Sequence, residues 1–391
     1  MQSQLLNSKS QILIVGAGPA GTSAAIRLAN KGFAVKLIER EKFPRHKLCG
    51  EFISPECFKH FKELGVLDKM FAGGGDRITE TCFYAPNGKS VNVPSTWFSE
   101  NETALGLSRA EMDFQLLQQA KKVGVEVLEE TQVVGLLTEN GNVCGVKTKT
   151  DEISADLIID ATGRARVLGK LAEKQIHNPK SKTQNRFVGF KAHLKNINLE
   201  KGRCEIYFFR GGYGGLNYVE NGIGNHCFLI KSEIVKEFNG DVEQILHEII
   251  FKNVRAKETL QNATPIFEWL AVSVDGFGVK NLNPAPNLLA IGDAGAFIDP
   301  FTGSGMLMAM ESGEILATVI KPNLSVEIIT DNYQKLYQQN FQKRLQICNL
   351  LRRAAFAPNL AKWVISALSL TEKPRQLLAK ATRSKLPTLA K

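Results

Sequence analysis

The stretch Gly16-Ala17-Gly18-Pro19-Ala20-Gly21 constrains this chain more than any other feature of it. It follows a short apolar run of β-type residues, Ile12 to Val15, and leads into a helical pattern from Thr22 to Asn30 that Lys31-Gly32 stops. A second apolar run, Ala34 to Ile38, ends at Glu39-Arg40. Strand, glycine turn, helix and strand in this order read as a βαβ unit with the GxGxxG spacing. Gly16 allows the tight turn, Gly18 lets the backbone approach a pyrophosphate, and Gly21 lets helix and strand pack closely. The helix start then offers free N–H groups and a partial positive charge to phosphates. Glu39, 18 residues after Gly21, can accept hydrogen bonds from ribose hydroxyls. A dinucleotide is therefore expected, although this unit alone does not separate FAD from NAD.

The separation comes about 270 residues later. Asn287 to Ile291 reads as another buried strand and ends in Gly292-Asp293-Ala294-Gly295. Asp299-Pro300-Phe301-Thr302-Gly303-Ser304-Gly305 follows, then a helical pattern from Met306 to about Ile320. A nicotinamide has no general need of a second phosphate-like site. A flavin does, because FAD is long and its ribityl chain and isoalloxazine extend away from the adenine. Asp293 suits the ribityl or pyrophosphate region. A helix opening near Gly305 can direct N–H groups at the flavin pyrimidine edge and stabilise the charge of a reduced flavin.

Four stretches together resemble a known family: residues 16–40, FPRHKLCGE at 43–51, DLIIDATGR at 156–164 and GDAGAFIDPFTGSGM at 292–306. They are similar to the FAD-dependent oxidoreductases related to p-hydroxybenzoate hydroxylase, the group A flavoprotein monooxygenases. Residues 43–50 resemble the geranylgeranyl-reductase-like branch. The resemblance spans residues 11 to 320. It implies an α/β fold, a Rossmann-like FAD-binding domain with an inserted, mainly antiparallel substrate domain and a C-terminal helical region. The expected FAD-binding pieces are 1–75, 104–180 and 270–330, the substrate domain 76–103 and 181–269, and the basic helical tail 331–391. Strand-like runs at 186–195, 204–210, 216–219 and 225–230 agree, as does a helical pattern from Asp241 to Phe251.

The expected cofactor set begins with Gly16, Ala17, Gly18, Ala20 and Gly21, with Glu39 and Arg40 closing the second strand. The resemblance adds Arg109 as an FAD support, Val133 as the position whose backbone meets adenine, and Lys47, Cys49 and Gly50 as the loop that approaches the flavin. It also adds Asp293, Gly305 and Met306 at the ribityl and pyrimidine contacts. Arg45 and Lys47 are read as charge partners for FAD or substrate. Cys49 is the sharpest side chain near the expected flavin, because Arg45, His46 and Lys47 would lower a thiol pKa if they lay beside it. Tyr213 and Asn217, in a Gly-rich segment, are candidates for the substrate cavity and for catalysis, with Cys49. His46, His193 and His226 are candidate bases that sit in no catalytic pattern; His177 is expected to face solvent.

The chain departs from two relatives of this fold. Geranylgeranyl reductases carry a YxWxFP-type motif where this chain has Gly212-Tyr213-Gly214-Gly215-Leu216-Asn217-Tyr218, and Trp97, Trp269 and Trp363 stand outside any WxWxIP halogenase motif. The leading expectation is a monooxygenase that hydroxylates a lipophilic or aromatic secondary metabolite, with NADPH or NADH as transient electron donor and O2. The alternative is a reductase of an isoprenoid or other alkene. A third reading, a flavin- or prenyl-binding protein without turnover, is disfavoured by the intact glycines, Glu39 and Asp293.

Charge bears on partners. From Lys321 to Lys391 stand 13 Lys and Arg against 3 Asp and Glu, so the whole net charge of +10 sits in the tail. An acidic membrane surface or an acidic protein suits such a tail. No nucleic-acid recognition motif accompanies it. Seven scattered cysteines, odd in number and without a CxxC pair, argue against a disulfide framework or a zinc site. No metal is expected. The first ten residues lack the basic start and apolar stretch of a signal peptide, and no run reaches the roughly 18 apolar residues of a membrane span. The expected location is cytoplasmic, with peripheral membrane contact through the tail.

Overall fold

The structure, a computed structural model, describes residues 6, 11–99, 102–176, 186–274, 276–356 and 358–383. His177 and the last eight residues of the basic tail lie outside them.

Five short strands form a parallel sheet in the order Leu288–Ala290, Leu157–Asp160, Gln11–Val15, Ala34–Ile38 and Glu126–Leu128. Their side chains are near-continuously apolar, as expected where both faces of a parallel sheet are covered. Helices Pro19–Asn30 and Gly305–Val319 pack together on one face. Gly313 permits their closeness, since a Cβ there would stand 2.9 Å from the Ala20 carbonyl and 3.0 Å from the Ala24 amide. The two segments that the sequence marks as cofactor-binding thus meet, although the chain between them holds a second domain.

That domain is an eight-stranded, mostly antiparallel sheet built on Phe187–Lys195, Gly224–Lys231, Gly212–Tyr218, Arg203–Phe209, Glu80–Tyr84 and Ser90–Pro94. Helices Ser232–Glu237, Val242–Glu248 and Val254–Leu260 cover one face through a core of Phe190, Tyr207, Phe228 and Ile245. The other face turns toward the FAD-binding domain.

Three boundaries differ from the sequence expectation. Leu270–Val274 pairs with Phe187–Lys195, so the sheet runs past 269. Asp76–Ile78 pairs instead with Ala104–Gly106 in a small sheet with Phe52–Ile53, so the inserted sheet starts at Glu80. The expected division at 330 falls inside one helix, Val326–Ala355. Tyr333, Tyr337, Phe341 and Cys348 of that helix are buried in the FAD-domain core, and the Tyr333 hydroxyl donates to the Ala290 carbonyl at 2.9 Å. Arg344 and Glu311 form a buried ion pair of 2.8 Å beneath it. Apolar spacing carried this helix into the core despite its basic composition. Two further helices, Pro358–Leu368 and Glu372–Ala381, complete the described tail.

Candidate functional site

The glycine turn has the strain that the motif predicts. Gly16 adopts φ 106°, and a Cβ there would drive into the Ala161 carbonyl. A Cβ on Gly21 would strike the Gly16 carbonyl. The helix after the turn starts at Pro19, which needs no amide partner there. Ala17 donates its amide to Glu39 Oε2 at 2.9 Å, so the acid that ends the second strand also braces the turn. Ala20 packs inside, where Gly292 approaches it so closely that a Cβ would lie 2.7 Å from the Ala20 methyl. Beside Glu39 lies an open cavity of about 510 Å³, lined by Arg40, Glu41, Gln132, Thr148 and Lys149. Val133 pairs with Thr148 at its margin. A nucleoside fits this position: polar walls and an exposed arginine, Arg40, just past the end of the second strand.

Positive charge collects between this cavity and the loop at 292–305. Arg109 holds Asp113 by two hydrogen bonds, of 2.8 and 2.7 Å. Arg45 reaches the same carboxylate at 3.0 Å and lies 3.7 Å from Glu39. Burial opposes the Arg109 charge, but the Asp113 carboxylate more than offsets it and keeps the guanidinium charged. Lys47 is lowered to about 8, by burial first and then by Arg109 and Arg45. Asp293 is raised, because burial outweighs the attraction of Arg164, Lys47 and Arg109. Arg45, Lys47 and Arg109 outnumber the Asp113 and Glu39 carboxylates beside them, an excess of positive charge that a pyrophosphate would balance. The donor set and the glycine cradle therefore fit FAD.

Opposite this charge, the sheet face carries three rows of side chains. Gly189, Leu229, Tyr213 and Phe208 share the first row; Lys191, Cys227, Gly215 and Ile206 the second; His193, Asn225 and Asn217 the third. The third row seats on the loop 46–51. Glu51, fully buried and at φ 51°, accepts hydrogen bonds from Lys191 and His193 (2.7 Å to the latter) and from the Arg109 amide at 2.9 Å. Burial raises the pKa of such a carboxyl, yet the His193 hydrogen bond and the Lys191 charge hold Glu51 below the usual carboxylate range. Asn225 donates to the Cys49 carbonyl at 3.2 Å. Asn217 donates to the carbonyls of Glu51 and Tyr218, at 3.4 and 3.1 Å, which makes it a brace for this loop.

Cys49 accepts a hydrogen bond from the Glu51 amide at 3.4 Å and sits beside the Arg109 guanidinium. Gly50, next to it, has open space where a Cβ would stand. His46 is exposed and lies 5.3 Å from the His193 ring; partial burial, then His193 and Lys191, lower its pKa. His226 points to the far side of the sheet, where it stacks near Phe228 and Trp269. Burial lowers it to about 4, and its Nδ1 meets the Gly215 carbonyl at 3.0 Å, so it packs away from the cofactor face.

The first row continues into an apolar chamber. Tyr213 is buried, and its hydroxyl donates to Asp299, whose Oδ1 also accepts the Phe301 amide at 3.0 Å. Burial raises Asp299 to about 6, against the opposing pull of Tyr213. Its Oδ2 has no hydrogen-bond partner among the described residues and lies 3.7 Å from Arg352 Nε. Phe301 stands between this pair and a cavity of about 130 Å³, touching Tyr213 on one side and Phe83 and Phe208 on the other. Val364, Ile365 and Leu368 of one tail helix, with Leu378 and Ala379 of the next, close the cavity. Gly303, at φ 62°, turns the chain into the helix that begins at Gly305, so the first amides of that helix, including that of Met306, stay unpaired within it. The Met306, Met308 and Met310 side chains belong to the core.

Asp299, Glu51, Lys191 and Arg164 carry much of this site without a sequence signal of their own. Asp299 stands in a stretch that the sequence marks, yet its spacing is equally that of a cap, a role it also fills. Lys191 becomes visible only through its place on a strand whose register sets it opposite the loop, and the same register gives His193, a candidate base in the sequence, its partner Glu51. His60, Glu63 and Glu314 gather elsewhere, around Arg27, which bonds Glu63 at 2.7 Å and meets His60 at 3.3 Å.

Comparison with known proteins agrees with the family and the fold. The FAD binding domain family model matches residues 9–334. A digeranylgeranylglycerophospholipid reductase from Methanocella arvoryzae is 28% identical over 335 residues, covering 81% of this chain and 78% of the relative. A tryptophan 2-halogenase from Chondromyces crocatus is 26% identical, over 86% of this chain and 66% of its own. Among solved structures, the flavin-dependent brominase Bmp2 aligns with a TM-score of 0.79 at 17% identity, covering 98% of this chain and 96% of that one. A geranylgeranyl bacteriochlorophyll reductase-like protein from Thermoplasma acidophilum aligns at 0.70 and 19% identity, covering 98% and 94%. At these identities the structures share the fold.

Proposed function

The chain belongs to the FAD binding domain family of flavin-dependent oxidoreductases, and on that premise we propose that it is a monooxygenase that hydroxylates a lipophilic substrate bearing an aromatic, hydroxylated ring. The observation that carries this reading is the buried Tyr213–Asp299 pair, which only Phe301 separates from a largely apolar, phenylalanine-lined cavity. With the Phe301 ring turned aside, a ring hydroxyl of the substrate would reach that pair, and its aliphatic part would lie along Phe83, Phe208 and Leu368.

FAD supplies the electron transfer and oxygen activation when bound. The chain's own residues prepare for it. Gly16, Gly18 and Gly21 clear the phosphate path, and Glu39 would receive the ribose. Arg45, Lys47, Arg109 and Arg164 would balance the pyrophosphate, while the free amides at Gly305 and Met306 would be offered to the flavin ring. Asp299, through Tyr213, takes the proton of the substrate hydroxyl and so makes the ring electron-rich. Phe301, Phe356 and the tail helices exclude water from the ring. NADPH or NADH is the proposed transient donor.

The alkene-reductase reading is favoured by one finding, the phospholipid reductase relative. In that case the same pair would deliver a proton instead of receiving one. Product mass separates the two, because hydroxylation adds an oxygen and reduction adds two hydrogens. Cys49 would be a proton donor only in the reductase, and full turnover by Cys49→Ala would remove that role.

A further inference from the structure

The last two described helices have two apolar sides. Their inner sides close the cavity through Val364, Ile365, Leu368, Leu378 and Ala379. Their outer sides carry large apolar groups that nothing covers among the described residues: Trp363 is 75% exposed, Leu370 80% and Leu377 71%. Trp363 and Ala367 lie one helical turn apart on the exposed side, and Leu370 follows in the turn after that helix. On the next helix, Lys373, Leu377 and Lys380 fall on one exposed face at spacings of four and three. Residues 358–383 hold five basic residues and one acidic, Glu372, with Arg375 lining the cavity and Arg383 paired to Glu56.

We propose that these two helices form a docking face for a bilayer surface rich in anionic headgroups, and that the chamber opens to that surface between them. Each part of the pattern points the same way. An indole at the rim of an apolar strip suits the headgroup boundary. Lysines flanking a leucine can hold phosphates while their stems lie on the acyl region. The sign of the tail selects anionic lipid, and each basic residue near such a surface adds about 1 kcal/mol of attraction. No described helix is long and apolar enough to cross a membrane, so the contact lies along the surface. A water-soluble acidic protein accounts for the charge but not for the three bare apolar side chains among the lysines.

The docking face is tied to the cofactor loop. Arg383, just past the terminal helix, donates to the Thr302 carbonyl at 2.9 Å and pairs with Glu56 at 3.0 Å. Thr302 immediately precedes the Gly303-Ser304 turn into the Gly305 helix. A shift of the terminal helix on docking would therefore part Leu378 and Ala379 from Leu368 while acting on the loop beside Asp299. A lipophilic substrate could then enter from the bilayer without crossing water.

The test is flotation of the FAD-loaded full chain with vesicles of phosphatidylcholine alone or with added phosphatidylglycerol. The expected result is co-flotation with the anionic vesicles, weakened about tenfold or more in their absence. The triple variant W363S/L370S/L377S should lose about tenfold in binding while keeping its flavin spectrum and melting temperature, because all three side chains are outside the core. K373E/K380E should lose binding to the anionic vesicles. No flotation with anionic vesicles at low salt would overturn the proposal, as would wild-type flotation by the triple variant. Binding to an acidic polypeptide such as polyglutamate, without binding to vesicles, would overturn it in favour of a protein partner. These outcomes do not depend on whether the enzyme hydroxylates or reduces.

Discussion

The Tyr213 hydroxyl donates to the Asp299 carboxylate across the seam between the two domains. Tyr213 lies on strand Gly212–Tyr218 of the antiparallel sheet, and Asp299 on the loop that leads into helix Gly305–Val319. One hydrogen bond thus joins the wall of the chamber to the expected flavin edge. Burial lifts Asp299 to about 6 and Tyr213 well above its ordinary 10. Near neutral pH the phenol is therefore protonated and the carboxylate is poised to exchange a proton.

If Asp299 receives the substrate proton, kcat/KM should rise with pH through about 6 and then level. Asp299→Asn should abolish this limb and slow turnover by roughly 10²–10⁴-fold. Stability moves the opposite way. A carboxyl whose folded pKa is raised stabilises fully below its unfolded pKa, and that contribution is lost as pH rises from about 4 to about 6. Melting curves across this window should show the decline in wild type and a flatter profile in Asp299→Asn.

Lys47 should link cofactor binding to pH. Free of an anion it is lowered to about 8, so bound phosphates should draw a proton onto it above that pH. FAD affinity should fall as pH rises from 7 to 9, with proton uptake measurable by calorimetry in buffers of different ionisation enthalpy. Lys47→Ala should weaken binding by about 1.5–3 kcal/mol and flatten the pH dependence.

Glycine substitutions should separate the cradle from ordinary turns. Gly16→Ala places a methyl against the Ala161 carbonyl in a left-handed conformation, and the protein should purify without flavin. Gly32→Ala, also at positive φ (85°) but with no atom within 4 Å, should cost only about 1–2 kcal/mol and keep its flavin band.

Glu51 should prove a buried structural anion. Glu51→Ala leaves Lys191 and His193 buried beside an emptied site and should destabilise the fold by about 3–5 kcal/mol, read from urea denaturation. Its folded pKa is lowered, so its contribution is complete above the ordinary carboxylate range and is lost only as pH falls below that range. Acid unfolding of the wild type should therefore begin below about 4.5, the ordinary glutamate value.

Chamber size should govern binding before chemistry. Leu368→Trp fills part of the roughly 130 Å³ cavity and should raise KM for long-chain substrates about tenfold with a smaller change in kcat.

The nucleotide half of this account is legible in sequence because each residue there answers a local demand. Gly16 must turn left-handed, Gly21 must admit a carbonyl, and Glu39 must end a strand. The catalytic half is set by register. Tyr213, Leu229 and Gly189 share a row because three strands pair as they do, and no local pattern specifies that pairing. Asp299 and Tyr213 are 86 residues apart and meet only when the inserted sheet docks. The tail shows the same limit. Its basic residues suggested a separate region, whereas Tyr333, Tyr337 and Phe341 recur at helical spacing and draw the first half of that helix into the core.

Oxygen insertion into a lipophilic ring substrate is what distinguishes a monooxygenase from an alkene reductase at this site. The most direct measurement is the mass of the product formed from an alkyl-substituted resorcinol by the FAD-loaded enzyme with NADPH under isotopically heavy oxygen. The account predicts a product carrying one heavy oxygen atom, with NADPH consumed in step. No labelled product from this probe, together with an alkene probe that gains two hydrogens under anaerobic reducing conditions, would contradict it and assign the chain to the reductases.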